Sequence, residues 1–590
     1  MLDLRMQSVR FLQVLRPMRV RAVALGALLA ATRVPAMAQE PTSSPVLQAM
    51  RDELARSMQA LKALPTPPYF LSYDVTELQS VQVGGAFGAI TESQESRRRH
   101  LDLDLRVGDY RFDNTHAVRG GFPGMGRFFG FGDRFVQIPI DDDPRPIRAA
   151  LWYQTDRHYR QAIEQLMWVK TNAQVNVLPE DTSSDFSAEA PARYVEPVVR
   201  PAVDRRVWEA KIRRYTAPFA RYGDIYEGSA SLSVEVETRW YVNSEGAEIQ
   251  TSQPIYRLYV SAYAKAADGM ELPRYESFFA FTPQELPSDQ SVLRAVERMI
   301  TDLHALQRAP AIDPYTGPAI LSGRASAVFF HEVFGHRVEG HRQKSEDEGQ
   351  TFKNKVNEPI LPDGFSVYFD PTLRRLGSSD LAGYYRYDDE GVNARRVVAV
   401  DHGVLKSFLM SRSPIAGFPR SNGHGRRQVG FAPVARQSNL IVEVARPHTR
   451  TELKEMLLDL IRREHKPFGL FFDDIEGGFT ITGRGIPNAF NVLPVMVYRV
   501  FPDGREELVR GVDFIGTPLV TFSRITAADD SVEVFNGLCG AESGLVPVSA
   551  VSPGVLLAQV EVQKKEKSDE RPPILPPPLG PVTGAARRRP

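Results

Sequence analysis

HEVFGHRVEGH, residues 331–341, places three histidines and two glutamates within eleven positions. In an ideal α-helix each residue turns the face by about 100°, so histidines at i and i+4 stand about 40° apart and can share one ion. His331 and His336 are five residues apart, which sets them about 140° from each other. A π-bulge, whose hydrogen bond spans five residues, brings such a pair back into line. Gly335, with no Cβ to crowd the turn, suits that distortion. The stretch therefore reads as a helix in which His331 and His336 bind a metal across a locally widened turn while Glu332 faces a water. His341, beside Gly340, makes the stretch a one-residue expansion of HExxHxxGxxH and is an alternative third ligand. Glu339 is better placed to hold an imidazole N–H than to bind the metal.

Composition bounds the rest. The chain has 590 residues, 42% hydrophobic and 24% charged, enough for at least two domains with their own cores. Lys plus Arg and Asp plus Glu are equal at 72 each, so no global field draws nucleic acid or an anionic membrane. Arg5, Arg10, Arg16, Arg19 and Arg21 precede the apolar run AVALGALLAA and a small-residue site at Ala36-Met37-Ala38. That pattern predicts a signal peptide over 1–38 and a periplasmic or secreted protein with no stable membrane insertion after cleavage. The run is well short of the ~20 apolar residues that span a bilayer. Cys539 is the only cysteine, so no intramolecular disulfide can form. Its thiol is open to three readings: a buried small hydrophobe, an intermolecular link or a metal ligand.

Periodicity organises the chain into an N-terminal α+β domain over 39–310, a larger strand-rich C-terminal domain over 311–563 and a disordered Pro-rich tail over 564–590. Ser44, Pro45 and the stripe Leu47, Met50, Leu54, Met58 and Leu61 predict an amphipathic helix. The stretches 69–83, 86–107, 229–243 and 248–266 alternate as half-buried strands, and 157–170, 287–309 and 451–465 read as helices. The segment 120–132, GGFPGMGRFFGFG, reads as an irregular loop. Asp388 and Asp389 read as a solvated loop pair rather than an acid/base pair. His424 in SNGHGRR reads either as a lining of a substrate channel that binds a peptide carboxylate or as a plain turn. GGFTITGRG lacks the spacing and the lysine of a phosphate-binding loop.

The stretches IDPYTGPAILSGRASAVFFHEVFGHRVEGHRQ (312–343), YDDEGVNARR (387–396), DHGVLKSFLMSR (401–412), SNGHGRR (421–427) and NGLCGAESGLVPVSAVSPGVLLAQVEV (536–562) resemble the TldD/PmbA family of metalloproteases, its exported bacterial members in particular. The resemblance covers roughly residues 45–563. It implies a TldD/PmbA-like α+β fold, a helix-on-sheet N-terminal domain and a strand-rich C-terminal domain carrying the metal helix. It also implies His331, His336 and Cys539 as metal ligands and Glu332 as the catalytic residue. Two imidazoles and a thiolate leave one tetrahedral position of a Zn2+ site open, as a catalytic zinc requires. The implied activity is a zinc-dependent metallopeptidase acting on unfolded or small peptides in extended form. The alternative is a non-catalytic, metal-stabilised binding or maturation protein of the same family. Relatives pair two subunits around an internal cavity, so a homodimer or a heterodimer with a related subunit is expected.

Overall fold

Ser44 accepts a hydrogen bond from the Leu47 amide and Pro45 stands in the first turn, which starts the helix Pro45–Leu61 where the sequence places it. The computed structural model describes residues 44–117, 136–175, 180–484 and 489–565, together with Leu575. The expected leader, the Gly/Phe-rich stretch 120–132 and most of the Pro-rich tail lie outside the described residues. Among those described, no helix is long and apolar enough to cross a membrane.

The N-terminal half is built on one sheet of seven strands with two long antiparallel hairpins at its centre, Pro68–Ala86 with Ala89–Val107 and Ile225–Asn243 with Glu248–Lys265. The strand period of two puts Leu71, Tyr73, Val75, Val81 and Val83 on one buried face. Four helices cover that face. Pro45–Leu61 and Pro144–Val175 pack over Leu71, Tyr73 and Val75. Arg205–Thr216 and Asp289–Arg308 pack over Val81 and Val83. The helix read at 157–170 is thus the middle of a longer one, and Arg205–Thr216 escaped the sequence reading because it is dominated by charge.

The opposite face of the first strand is also buried, but by polar residues: Ser72, Asp74 and Thr76. The C-terminal half covers them with charge. Arg427 donates to Asp74 at 2.9 Å, and Arg239 donates to the carbonyls of Asp388 and Asp389 at 2.8 Å. The described residues of the two halves form one compact unit.

In the C-terminal half, Gly469–Thr480 pairs on one side with Tyr315–Leu321 and on the other with Phe490–Val500. Val555–Lys564 and Val512–Gly516 complete the ring, so the sheet closes as a small barrel. A second, six-stranded sheet runs in the order Val404–Leu405, Val397–Asp401, Phe365–Phe369, Asn439–Val444, Gly544–Ser552, Glu533–Ala541. The helix Gly323–Val333 is sandwiched between these layers. Its Phe329 ring lies 5.6 to 5.8 Å from those of Phe490, Phe514 and Phe522. Burying one such ring contributes about 1.5–3 kcal/mol, so this cluster anchors the helix firmly. The architecture is α+β, as the sequence predicts.

Candidate metal centre

The helix begins at Ser322, whose hydroxyl accepts from the Ala325 amide at 3.2 Å. It ends at Val333, and a tight 3-10 turn over Gly335–Val338 follows. The Phe334 amide still donates to the Phe330 carbonyl at 3.0 Å, but the Arg337 amide reaches back only three residues, to Phe334 at 2.9 Å. The widened turn expected at Gly335 is therefore corrected: the helix stops and winds tighter. The outcome for the rings is the one the widened turn was meant to achieve. His331 sits in the last α turn, His336 in the 3-10 turn, and their ring centroids are 5.1 Å apart. Gly335 allows a close approach, since a Cβ there would stand 1.9 Å from the side-chain oxygen of Gln437 and displace that amide.

Cys539 reaches the rings from the edge strand of the six-stranded sheet. Its hairpin straddles the helix. At the helix N-terminus Glu533 accepts from the Arg324 amide at 2.8 Å and Ser552 bonds Ser326 at 2.8 Å. At the other end the Cys539 sulfur lies 3.3 Å from Nε2 of His336. One ligand atom from each of His331, His336 and Cys539 falls within 4.8 Å of the other two. This is the one such group among the described residues. Glu332 points to the same place, with its Oε2 4.0 Å from Nε2 of His336. All four side chains are buried, each at most 8% exposed as whole residues.

The donor set fits one ion. Tetrahedral zinc with bonds of about 2.0–2.3 Å holds its ligand atoms roughly 3.3–3.7 Å apart, and the Cys539–His336 separation already lies there. Nδ1 of His336 faces Glu339 Oε2 at 3.3 Å. An ionised carboxylate only accepts, so Nδ1 carries a proton, and an ion held at Nε2 would displace the proton that this nitrogen shares with the sulfur.

The charges pair Cys539 and His336 as thiolate and imidazolium. Burial opposes ionisation of the Cys539 thiol, but the adjacent His336 and His331 outweigh it and hold the thiol well below its usual range. Burial likewise opposes a charge on His336, and Cys539 and Glu339 reverse that effect, raising it well above the ordinary imidazole value. Glu339 is brought down to about 2, because His336, Arg342 and Arg436 overcome its own burial. Glu332 moves the other way: burial lifts it above the usual carboxylate range, and the two histidines offset this only in part. A thiolate, an imidazolium whose Nε2 proton an ion would displace, and a carboxylate with raised proton affinity therefore share one pocket.

The profile of the PmbA/TldA metallopeptidase C-terminal domain matches residues 314–564, and that of the central domain of the same family matches 193–303. The chain carries the central and C-terminal domains of the PmbA/TldD family. A metalloprotease of Archaeoglobus fulgidus is 30% identical over 249 residues, 42% of this chain and 53% of that protein. A metalloprotease of Methanothermobacter thermautotrophicus is 26% identical over 325 residues, 55% of this chain and 66% of that protein. The match thus spans between about half and two thirds of the length of these relatives. TldE from Thermococcus kodakarensis has the same fold, with a TM-score of 0.55 at 15% identity over 87% of this chain and 100% of that one.

Within the PmbA/TldD C-terminal domain the other candidates fall away from the cluster. His341 directs Nε2 to Glu542, not to the cluster of His331, His336 and Cys539, which corrects its reading as an alternative ligand. His424 is fully buried, with Nε2 3.1 Å from the Ser438 hydroxyl, and burial pushes it down to about 3. It packs in the core and lines no channel. Asp388 is buried, not solvated: it accepts from the amides of Glu390, Val392 and Gly425.

The sequence reading missed Arg436 and Gln437. Arg436, Gln437, Ser438 and Asn439 are four consecutive polar residues at 0% exposure. Their only signal in the chain is position, leading into the strand that begins at Asn439. Gln437 Nε2 donates to the His331 carbonyl at 3.3 Å and Arg436 Nη2 to the Cys539 sulfur at 3.2 Å.

Proposed function

We propose that the chain is a zinc-dependent peptide hydrolase in which His331, His336 and Cys539 hold one ion and Glu332 is the general base. The observation that carries this reading is the convergence of the chain's single cysteine, two histidines and a carboxylate of raised proton affinity at one point. A zinc ion bound there supplies Lewis acidity, lowering the pKa of a water toward about 7 and polarising the scissile carbonyl.

The protein's own groups do the rest. Glu332 takes the proton of the attacking water and returns it to the departing amine. Burial makes its carboxylate a stronger base than one in solvent, which suits proton uptake near neutral pH. Glu339 fixes the His336 ring, and Arg337 holds the turn against the barrel by donating to the Glu332 carbonyl at 2.8 Å and the Ile481 carbonyl at 3.1 Å. The substrate we propose is an unfolded or small peptide in extended form, cleaved after export by a homodimer or a heterodimer with a related subunit.

Glu332→Gln tests the reading. The variant keeps its metal and loses about 10²–10⁴-fold in peptide cleavage. The low exposure of the cluster favours a second reading, a metal that only stabilises the fold of a binding or maturation protein. Undiminished cleavage in the Gln variant would leave that second reading standing.

A further inference from the structure

We infer that Arg436 is the positioning residue of the metal centre, one guanidinium that fixes the Cys539 sulfur with one edge and Glu339, hence His336, with another. The inference rests on the metal-binding reading above. Arg436 is fully buried. Its Nη2 donates to the Cys539 sulfur at 3.2 Å and to the Cys539 carbonyl at 2.7 Å. Its Nη1 donates to the Ser543 hydroxyl at 2.7 Å and the Gly544 carbonyl at 3.0 Å. Its Nε faces Glu339 Oε1 at 3.3 Å.

Cys539 needs such a partner because of where it sits. Among the described residues no strand pairs with the outer edge of Glu533–Ala541, so the sheet holds that strand from one side only. Arg436 grips the sulfur-bearing strand and the hairpin turn beyond it together. The other edge forms an ion pair with Glu339 Oε1 without hydrogen-bond geometry, while Arg342 donates to Oε2 of the same carboxylate at 2.9 Å. The two ligands that meet at 3.3 Å are thereby supported from one rigid, planar cation. A hydrogen bond to a thiolate also draws charge away from the sulfur, so the bound metal is left a stronger Lewis acid. Outer partners of this kind are worth about 10–100-fold in metal affinity.

Cobalt(II) titration of the metal-stripped full chain tests this, because a cobalt-bound thiolate gives an intense near-ultraviolet charge-transfer band. Arg436→Met is expected to bind cobalt about 10–100-fold more weakly and to shift the band to lower energy, with the fold intact by circular dichroism. Arg436→Lys, which keeps the charge but not the fork, falls between Met and wild type. If the Met variant does not fold, the Lys variant decides on the same two readouts. A folded variant with the wild-type dissociation constant and an unmoved band overturns the role of Arg436. A wild-type cobalt protein without any sulfur band overturns the ligand set itself, a separate failure.

Discussion

Glu339 Oε2 lies 3.3 Å from Nδ1 of His336, and across the same ring Nε2 lies 3.3 Å from the Cys539 sulfur. The ring is thus oriented from behind by a carboxylate that His336, Arg342 and Arg436 keep ionised. This arrangement commits one nitrogen to the carboxylate and turns the other toward the sulfur, as the proposed ligand set requires.

Cys539→Ser removes the sulfur from that arrangement, and His341→Ala removes a side chain already engaged by Glu542. The Ser variant is expected to lose metal affinity by more than the roughly 10–100-fold typical of an outer partner. The Ala variant keeps wild-type metal content. Zinc per chain after dialysis distinguishes them, and the opposite pattern would move the third ligand to His341.

Gly478 lies against the proposed base. A Cβ there would stand 2.7 Å from Cγ of Glu332. Gly478→Ala should push the carboxylate off its line without touching a ligand. A misplacement of about 1 Å can cost about 10²-fold in rate, so turnover falls on that order while zinc content is unchanged. An Ala variant with full activity would show that Glu332 does not act from this position.

Outside the cluster of His331, His336 and Cys539, Glu390 and Asp388 are pushed up to about 8 and about 7, in each case mainly by burial. Their carboxyls hold protons in the fold that the unfolded chain releases near pH 4. The folded state then binds more protons, so this contribution is full below about pH 4 and is lost as pH rises to about 8. Glu390→Gln imitates the protonated form. In urea denaturation, it is expected to lose less stability than wild type between pH 5 and pH 9; an equal loss would place the proton elsewhere.

How much of this was legible beforehand depended on periodicity and on chemistry that repeats locally. The stripe from Leu47 to Leu61 and the alternation from Leu101 to Val107 declare a helix and a strand because one face of each meets an apolar layer. HEVFGH raises a metal helix as an expectation from its paired histidines and glutamate, although their spacing alone sets the two rings about 140° apart on an ideal helix. The turn that aligns them was not legible, since a π-bulge and a helix stop followed by a 3-10 turn are both consistent with a glycine at 335. Burial of Asp388 and His424 was hidden for a different reason. Asp388 accepts from the Gly425 amide and His424 meets the Ser438 hydroxyl, contacts that exist only once separate loops are stacked. Arg436 is the extreme case, a charged residue whose complete burial depends on what surrounds it.

The most direct measurement is X-ray absorption at the zinc edge of the purified protein. One sulfur at about 2.3 Å with two imidazole nitrogens at about 2.0–2.1 Å is the predicted shell, and the sulfur should vanish in Cys539→Ser. A shell of nitrogen and oxygen alone in the wild-type protein would contradict the centre built from His331, His336 and Cys539.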